Sequence, residues 1–271
     1  MMAVVHRLLP TSVSSVPGAP SGPVPDGVSD AELERLYDYP AGLTRPWVQV
    51  NFVSSADGAV SVSDRSEGLS HPADKRIFAL GRDLADVILV GAGTAQAEGY
   101  RGVRPRELRV ERRRRLGLNP LPPIAVVTGS CRVTPDDPIV TDTEVPPIVV
   151  TTTDAPRHRK ADLTAAGIDV IEAGAGTVDP RATLAALAER GLLRVNCEGG
   201  PQLFAALVAA DSVDQLCLTV APLLAGAGSQ RIAAGIPSPV PRTLRLDSVL
   251  HEDGFLMLRY RRADSTGRHK G

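Results

Sequence analysis

The sequence predicts an α/β protein with a mixed, mostly parallel central sheet, helices packed on it, and an antiparallel C-terminal end. Three observations lead there. Short, nearly all-apolar runs recur along the chain, as expected of strands buried on both faces. Segments with helical apolar spacing separate them. The last two runs adjoin with only a turn between them.

In chain order, residues 10–30 are rich in Pro, Ser and Gly and read as a flexible arm, because so little apolar surface cannot offset ordering entropy. A short helix follows over 30–37, with Asp30 as its expected cap and Leu33 and Leu36 on one face. The folded body is expected from residue 45 to 271, with 1–44 outside it. Residues 47–53 alternate and predict a strand. Pro72 opens a helix to Leu84 with Ile77, Leu80 and Leu84 inward. The runs 86–90, 123–127, 147–151 and 168–171 predict buried strands. Residues 179–190 predict a helix, 193–198 a strand, 201–210 a packed helix and 213–220 another strand. Residues 244–249 and 254–261 predict the antiparallel pair.

Composition narrows the function. Of 271 residues, 43% are hydrophobic and 23% charged, and 30 basic residues oppose 31 acidic ones for a net charge of −1. That balance gives no reason to expect nucleic-acid or membrane partners. Cys131, Cys197 and Cys217 form no C-x-x-C, which argues against a disulfide framework and a zinc site and fits a reducing cytoplasm. No H-E-x-x-H occurs, so no metal is expected, and no G-x-S-x-G elbow supports a serine nucleophile.

Two glycine turns carry the main chemical signal. Gly91 and Gly93 follow a buried strand, and Thr94 opens a helix. Gly199-Gly200-Pro201 follows another strand and starts a second helix. Glycines let backbone N–H groups approach a phosphate, and a helix N-terminus favours an anion. A tight strand-to-helix turn also explains the first pair. Glu198, at the strand end, reads either as a site carboxylate or as a local cap. Asp57-Gly58 is first a turn signal, followed by a polar loop through Ser66 and Glu67 suited to a polar ligand. The arginines between 101 and 115 read mostly as a solvated helix face or mobile loop.

Together, NFVSSADGAVSVSDRSEGLS, DVILVGAGTAQAE and VNCEGGPQLFAALVAADSVDQLCLTVAPLLAG, in this order, resemble the reductase domain of riboflavin biosynthesis over roughly 45–260. That family, of 5-amino-6-(5-phosphoribosylamino)uracil reductase, has a dihydrofolate-reductase-like fold. The resemblance implies NADPH as hydride donor, a small pyrimidine substrate and a homodimer. It implies that Glu198 meets the pyrimidine and that Asp57 joins it in the catalytic set. Ser54, Gly68, Thr94, Gly129, Gly200, Pro201, Gln202, Leu203 and Phe204 are implied to line the cofactor, beside the Gly91 and Gly199 of the glycine turns. Ser66 and Arg82 are implied to face the substrate. The family's acidic D-P-x-L-T-x-R run is replaced here by Glu98-Gly99-Tyr100-Arg101-Gly102-Val103-Arg104, with Glu98 standing for an acid and Arg104 or Arg106 for the phosphate-binding arginine. No deaminase motif is present, so deamination is not expected. The rival expectations are a dihydrofolate or pteridine reductase on the same fold and an NADPH-binding module without turnover.

Overall fold

The computed structural model describes residues 6–7, 27–62, 65–226, 228–235 and 240–263. A two-residue strand β1 (His6–Arg7) comes first; it is too short to carry a periodicity. The apolar runs then become β2 (Trp47–Ser55), β3 (Val87–Gly91), β4 (Ile124–Val127), β5 (Ile148–Thr151), β6 (Asp169–Glu172), β7 (Arg194–Cys197) and β8 (Gln215–Ala221). The C-terminal pair is β9 (Leu244–Glu252) and β10 (Phe255–Arg262). The sheet order is β1-β9-β10-β8-β2-β7-β3-β4-β5-β6. From β8 to β6 every pairing is parallel, and β10, β9 and β1 add antiparallel neighbours beyond β8.

The parallel strands are apolar on both faces because both are covered. In β3, Val87 and Leu89 join one core cluster with Leu184 and Leu187 of α7 (Pro180–Glu189) and Phe204 and Leu207 of α8 (Pro201–Ala209). Ile88 and Val90 point the other way, into a cluster with Ala95 of α3 (Ala92–Ala97), Ile139 of α5 (Pro138–Thr141) and Leu163 of α6 (Arg157–Ala165). A third cluster joins α2 (Pro72–Leu84) to Cys217, Leu250 and Met257 of the sheet.

The N-terminal helix forms where its spacing predicts, as α1 (Asp30–Tyr37), but two details differ. Ser29, with extended backbone, is the cap, its hydroxyl accepting from the Glu32 N–H at 3.2 Å, and Asp30 lies inside the helix. The helix is also part of the core: Leu33 and Tyr37 are each 1% exposed and pack with Ile77 and Leu80. The folded portion therefore includes residues well before 45. The expected flexibility of the segment preceding residue 27 lies outside the described residues.

The arginine run also departs from expectation. It forms α4 (Glu107–Arg115), and this helix docks through its charges. Arg109 and Arg112 both donate to the buried Asp83 carboxylate, and Arg112 and Arg115 pair with Glu34 of α1. Arg113 is 0% exposed and donates to the carbonyls of Arg82, Asp83 and Ala85, satisfying the end of α2. Burial pushes its guanidinium down to about 10, still mostly charged at neutral pH. Arg109, Arg112 and Arg113 are thus internal struts, while Arg101, Arg104, Arg106, Arg114 and Arg115 are exposed as expected.

Removing Asp83 leaves the buried Arg109 guanidinium without its carboxylate and Arg112 with Glu34 alone. Asp83→Ala is expected to cost about 3–5 kcal/mol of stability, the usual penalty for breaking a buried pair from one side. Chemical denaturation checks this; a loss below about 1 kcal/mol would show that α4 docks by other means.

Candidate active site

Strand β7 is inserted between β2 and β3, although β2 and β3 are consecutive strands of the central sheet. Sheet order therefore reverses here, the place where open α/β sheets form ligand crevices. A cleft of about 820 Å³ opens beside the C-terminal ends of these strands. Its walls are Asn51, Phe52 and Val53 of β2, Asp74, Lys75 and Phe78 of α2, Gly93, Thr94 and Ala97 of α3, and Gly200 and Pro201 at the start of α8. Ser66, Glu98 and Tyr100 complete it, with the loop after β8 through Ser229 and Gln230.

At the base sits a buried ion pair. The Glu198 side chain is 0% exposed, and Arg82 from the last turn of α2 grips it with two parallel bonds of 2.7 Å, Nε to Oε1 and Nη2 to Oε2. Tyr100 Oη donates to Oε2 at 2.7 Å and Asn196 Nδ2 to Oε1 at 3.1 Å. Both oxygens thus accept two bonds each, which is the full capacity of a carboxylate. Burial works against charge on Arg82, but the Glu198 charge and hydrogen bonds outweigh it and hold the guanidinium above its ordinary range. Burial and then the Glu198 charge push the Tyr100 phenol well up, so it stays a neutral donor. Gly81 lets α2 lie this close to β7: a Cβ there would stand 3.1 Å from Asn196 Oδ1.

Above this pair the two glycine turns meet. The Gly91 N–H donates to the Gly199 carbonyl at 2.8 Å, and a Cβ on Gly200 would fall 2.2 Å from Thr94 Oγ1. No side chain caps α8, so its first-turn N–H groups are left for another acceptor. The Thr94 hydroxyl and the α8 N-terminus thus form a cradle that only glycine keeps open, and its donors fit the phosphates of a dinucleotide.

The structure brings Ser66, Thr94, Glu98, Glu198, Gly200 and Pro201 together on the cleft. Arg82, Gly91 and Gly199 support it from behind. The others lie apart. Ser54 is buried in β2, Gly68 backs onto Val62, and Phe204 packs on Phe52 with ring centroids 5.2 Å apart. Gln202 and Leu203 follow Pro201 into α8, and Leu203 packs against the core. Gly129 lies past the end of β4, its carbonyl accepting from Thr152. Arg104 is not on the cleft, since it pairs with Asp142. Asp57 is an anchor: its carboxylate accepts from the Ser55 hydroxyl and from the N–H groups of Ala225 (3.1 Å) and Gly226 (2.8 Å), holding the loop after β8. These bonds, the Ser55 one first, lower its pKa to about 2.

Sequence reasoning did not single out Tyr100, Asn196, Lys75 or Asp74. Asp74 is 6% exposed, and burial raises its pKa against the hydrogen bonds from Thr219 and Ser70. The sign available in sequence was an acid in the first turn of a helix, which the helix dipole explains on its own.

Two outcomes follow. Glu198→Gln is expected to cost about 1.5–3 kcal/mol in chemical denaturation, the value of a hydrogen bond to a charged group; no change would mean the Arg82 grip is not stabilising. For Asp57, whose folded pKa is depressed, anchoring should be complete above the ordinary carboxylate range and be lost as pH falls toward 2. Amide exchange at Ala225 and Gly226 should accelerate in Asp57→Ala at neutral pH and in the wild type only near pH 2.

Comparison with known proteins assigns the chain to a family. The family model described as RibD C-terminal domain matches residues 46–254. The chain is 33% identical over 184 residues to a 2,5-diamino-6-ribosylamino-4(3H)-pyrimidinone 5′-phosphate reductase of Archaeoglobus fulgidus, covering 67% of this chain and 83% of that protein. It is 29% identical over 191 residues to the protein of the same name from Methanothermobacter thermautotrophicus, covering 69% and 82%. Among solved structures, a pyrimidine reductase-like protein of Corynebacterium diphtheriae superposes with a TM-score of 0.72 at 25% identity, covering 81% of this chain and 93% of that one. The fold is thus the dihydrofolate-reductase-like one of RibD-type reductases. That match spans the cleft residues and both glycine turns, and the chain belongs to the RibD C-terminal domain family.

Proposed function

We propose that this chain is an NADPH-dependent reductase of a 6-ribosylaminopyrimidine 5′-phosphate in riboflavin biosynthesis. The observation that carries the reading is the Thr94–Gly200 cradle opening onto the same cleft as Tyr100 and Glu198. When bound, the reduced nicotinamide supplies a hydride to the substrate's ribosyl C1′. The chain binds, orients and excludes water. Thr94 and the α8 N-terminus hold the cofactor's phosphates. Glu198, held from behind by Arg82, fixes Tyr100, which borders the ring with Ser66 and Glu98. Lys75 is the one cation among the described lining residues, and it takes the substrate phosphate in place of Arg104.

A preference for NADPH is supported by a second cleft of about 430 Å³ on the far side of Tyr100, lined by Arg132, Thr134 and Arg159. Two guanidiniums there suit a ribose 2′-phosphate. A homodimer is supported by Leu223 and Leu224, 40% and 76% exposed beside the cleft loop, and by Leu246 on β9. Three unpaired cysteines fit a reducing compartment such as the cytoplasm. No helix among the described residues is long and apolar enough to cross a membrane. Nucleic acid is not an expected partner, because most arginines of the basic run are bound within the fold.

The test is to mix the protein with 2,5-diamino-6-ribosylamino-4(3H)-pyrimidinone 5′-phosphate and either NADPH or NADH, following nicotinamide absorbance, with dihydrofolate as the competing substrate. Faster oxidation of NADPH with the ribosylaminopyrimidine is expected. Turnover of dihydrofolate alone would favour the pteridine reading, and binding without turnover of either would favour a sensor. Gly200→Val, which pushes a side chain into the cradle, should weaken NADPH binding at least tenfold, the loss of about one charge-assisted bond. Unchanged affinity in a folded variant would remove the cradle from the cofactor site.

A further inference from the structure

We propose that Asp74 is the proton donor of the reduction, its carboxylic acid protonating the nitrogen of the substrate's C1′ imine. This rests on the reading of the cleft as a ribosylaminopyrimidine reductase site. A hydride added to C1′ sends the C=N π pair onto nitrogen, and that nitrogen must gain a proton. Four carboxyl groups and no histidine occur among the described lining residues: Glu67, Asp74, Glu98 and Glu198. Glu198 has no free lone pair, since four donors including a bidentate guanidinium fill it. Glu67 and Glu98 are exposed to water rather than set into the wall, and Glu98 already accepts from the Ser66 N–H at 3.0 Å. The Tyr100 proton is committed to Glu198.

Asp74 differs from all of these. It stands in the first turn of α2, on the cleft wall yet buried, with the hydroxyls of Ser70 and of Thr219 from β8 as its hydrogen-bond partners. Neutral hydroxyls can serve either protonation state, whereas a guanidinium would lock the anion. The other groups facing it are His71 and Lys75 on its own segment and Tyr37 of α1. Both His71 and Lys75 act to lower its pKa, and burial outweighs them. Burial also raises the Tyr37 phenol, so that group does not compete as an acid.

The step balances. Ring opening breaks C1′–O4′ as the exocyclic nitrogen forms the C=N bond, its proton passing to O4′. Once C1′ has gained a hydride, which a bound reduced nicotinamide would supply, nitrogen takes the Asp74 proton, and the resulting carboxylate recovers a proton from water in the open cleft.

The test uses the full chain with Asp74→Asn and Asp74→Glu. In infrared difference spectra of the uncomplexed protein, wild type minus Asp74→Asn, a carboxylic acid C=O band should persist above about pH 5, where ordinary carboxyls are ionised. Single-turnover reduction in the wild type should slow as pH rises through the titration of that band. Asp74→Asn should lose about 100-fold in rate, within the range for a general acid, and lose that pH dependence, with NADPH and substrate affinities changed less than threefold. Asp74→Glu should recover part of the rate. A band absent above pH 5, or an Asp74→Asn rate and pH profile like the wild type, overturns the proposal. So does loss of NADPH affinity with rate, which would make Asp74 a structural residue. A persistent band in a wild type that reduces no ribosylaminopyrimidine phosphate instead overturns the functional reading on which this role rests.

Discussion

The site depends on one buried ion pair, Arg82 with Glu198. Glu198 leaves water entirely and Arg82 mostly, and a pair so enclosed is stable only if every remaining hydrogen-bonding position is filled and the geometry is rigid. Tyr100 and Asn196 fill the carboxylate. Rigidity comes from elsewhere: Arg82 lies in the last turn of α2, and the end of that helix is held by Arg113 on its carbonyls and by Arg109 and Arg112 on Asp83. The arginine-rich helix therefore never reaches the cleft, yet it sets where Arg82 points. Through Glu34 the same network ties in the N-terminal helix, so the position of the carboxylate is fixed by four separate stretches of chain.

That arrangement divides labour among the acids of the cleft. A carboxylate whose lone pairs are all filled by donors, as those of Glu198 are, orients its partners. A carboxyl buried among hydroxyls keeps room for another contact. Glu198 and Asp74 stand in these two environments within one cleft. Asp57, off the cleft wall, does neither; it pins the loop that forms the cleft rim.

Glycine makes the closeness possible at two points. Gly81 brings α2 against Asn196, and Gly200 leaves room for the Thr94 hydroxyl at the mouth of α8. Each marks a contact between segments more than 100 residues apart in the chain, so neither spacing nor periodicity announces it. Where the reason for a glycine is local, as in a strand-to-helix turn, sequence shows it; where the reason is a neighbour from another part of the fold, only the packed structure does.

The amino-acid sequence by itself determined the sheet and the two glycine turns. Short runs apolar on both faces fit strands covered on both sides, and 3.6-residue spacing fits a helix with one face inward; both are local consequences of burying side chains. The order of motifs placed the chain in its family for the same reason, since those motifs are contiguous. What the tertiary structure decided is how charge is used. Arg109, Arg112 and Arg113 look solvated in a run of arginines, and Glu198 looks open to a ligand at the end of a strand. Whether a charged group faces water, a partner or a substrate depends on what lies within a few ångströms of it, and for Glu198 the partner is 116 residues away. Electrostatic roles are set by such distant neighbours and by burial, and neither exists until the chain has folded.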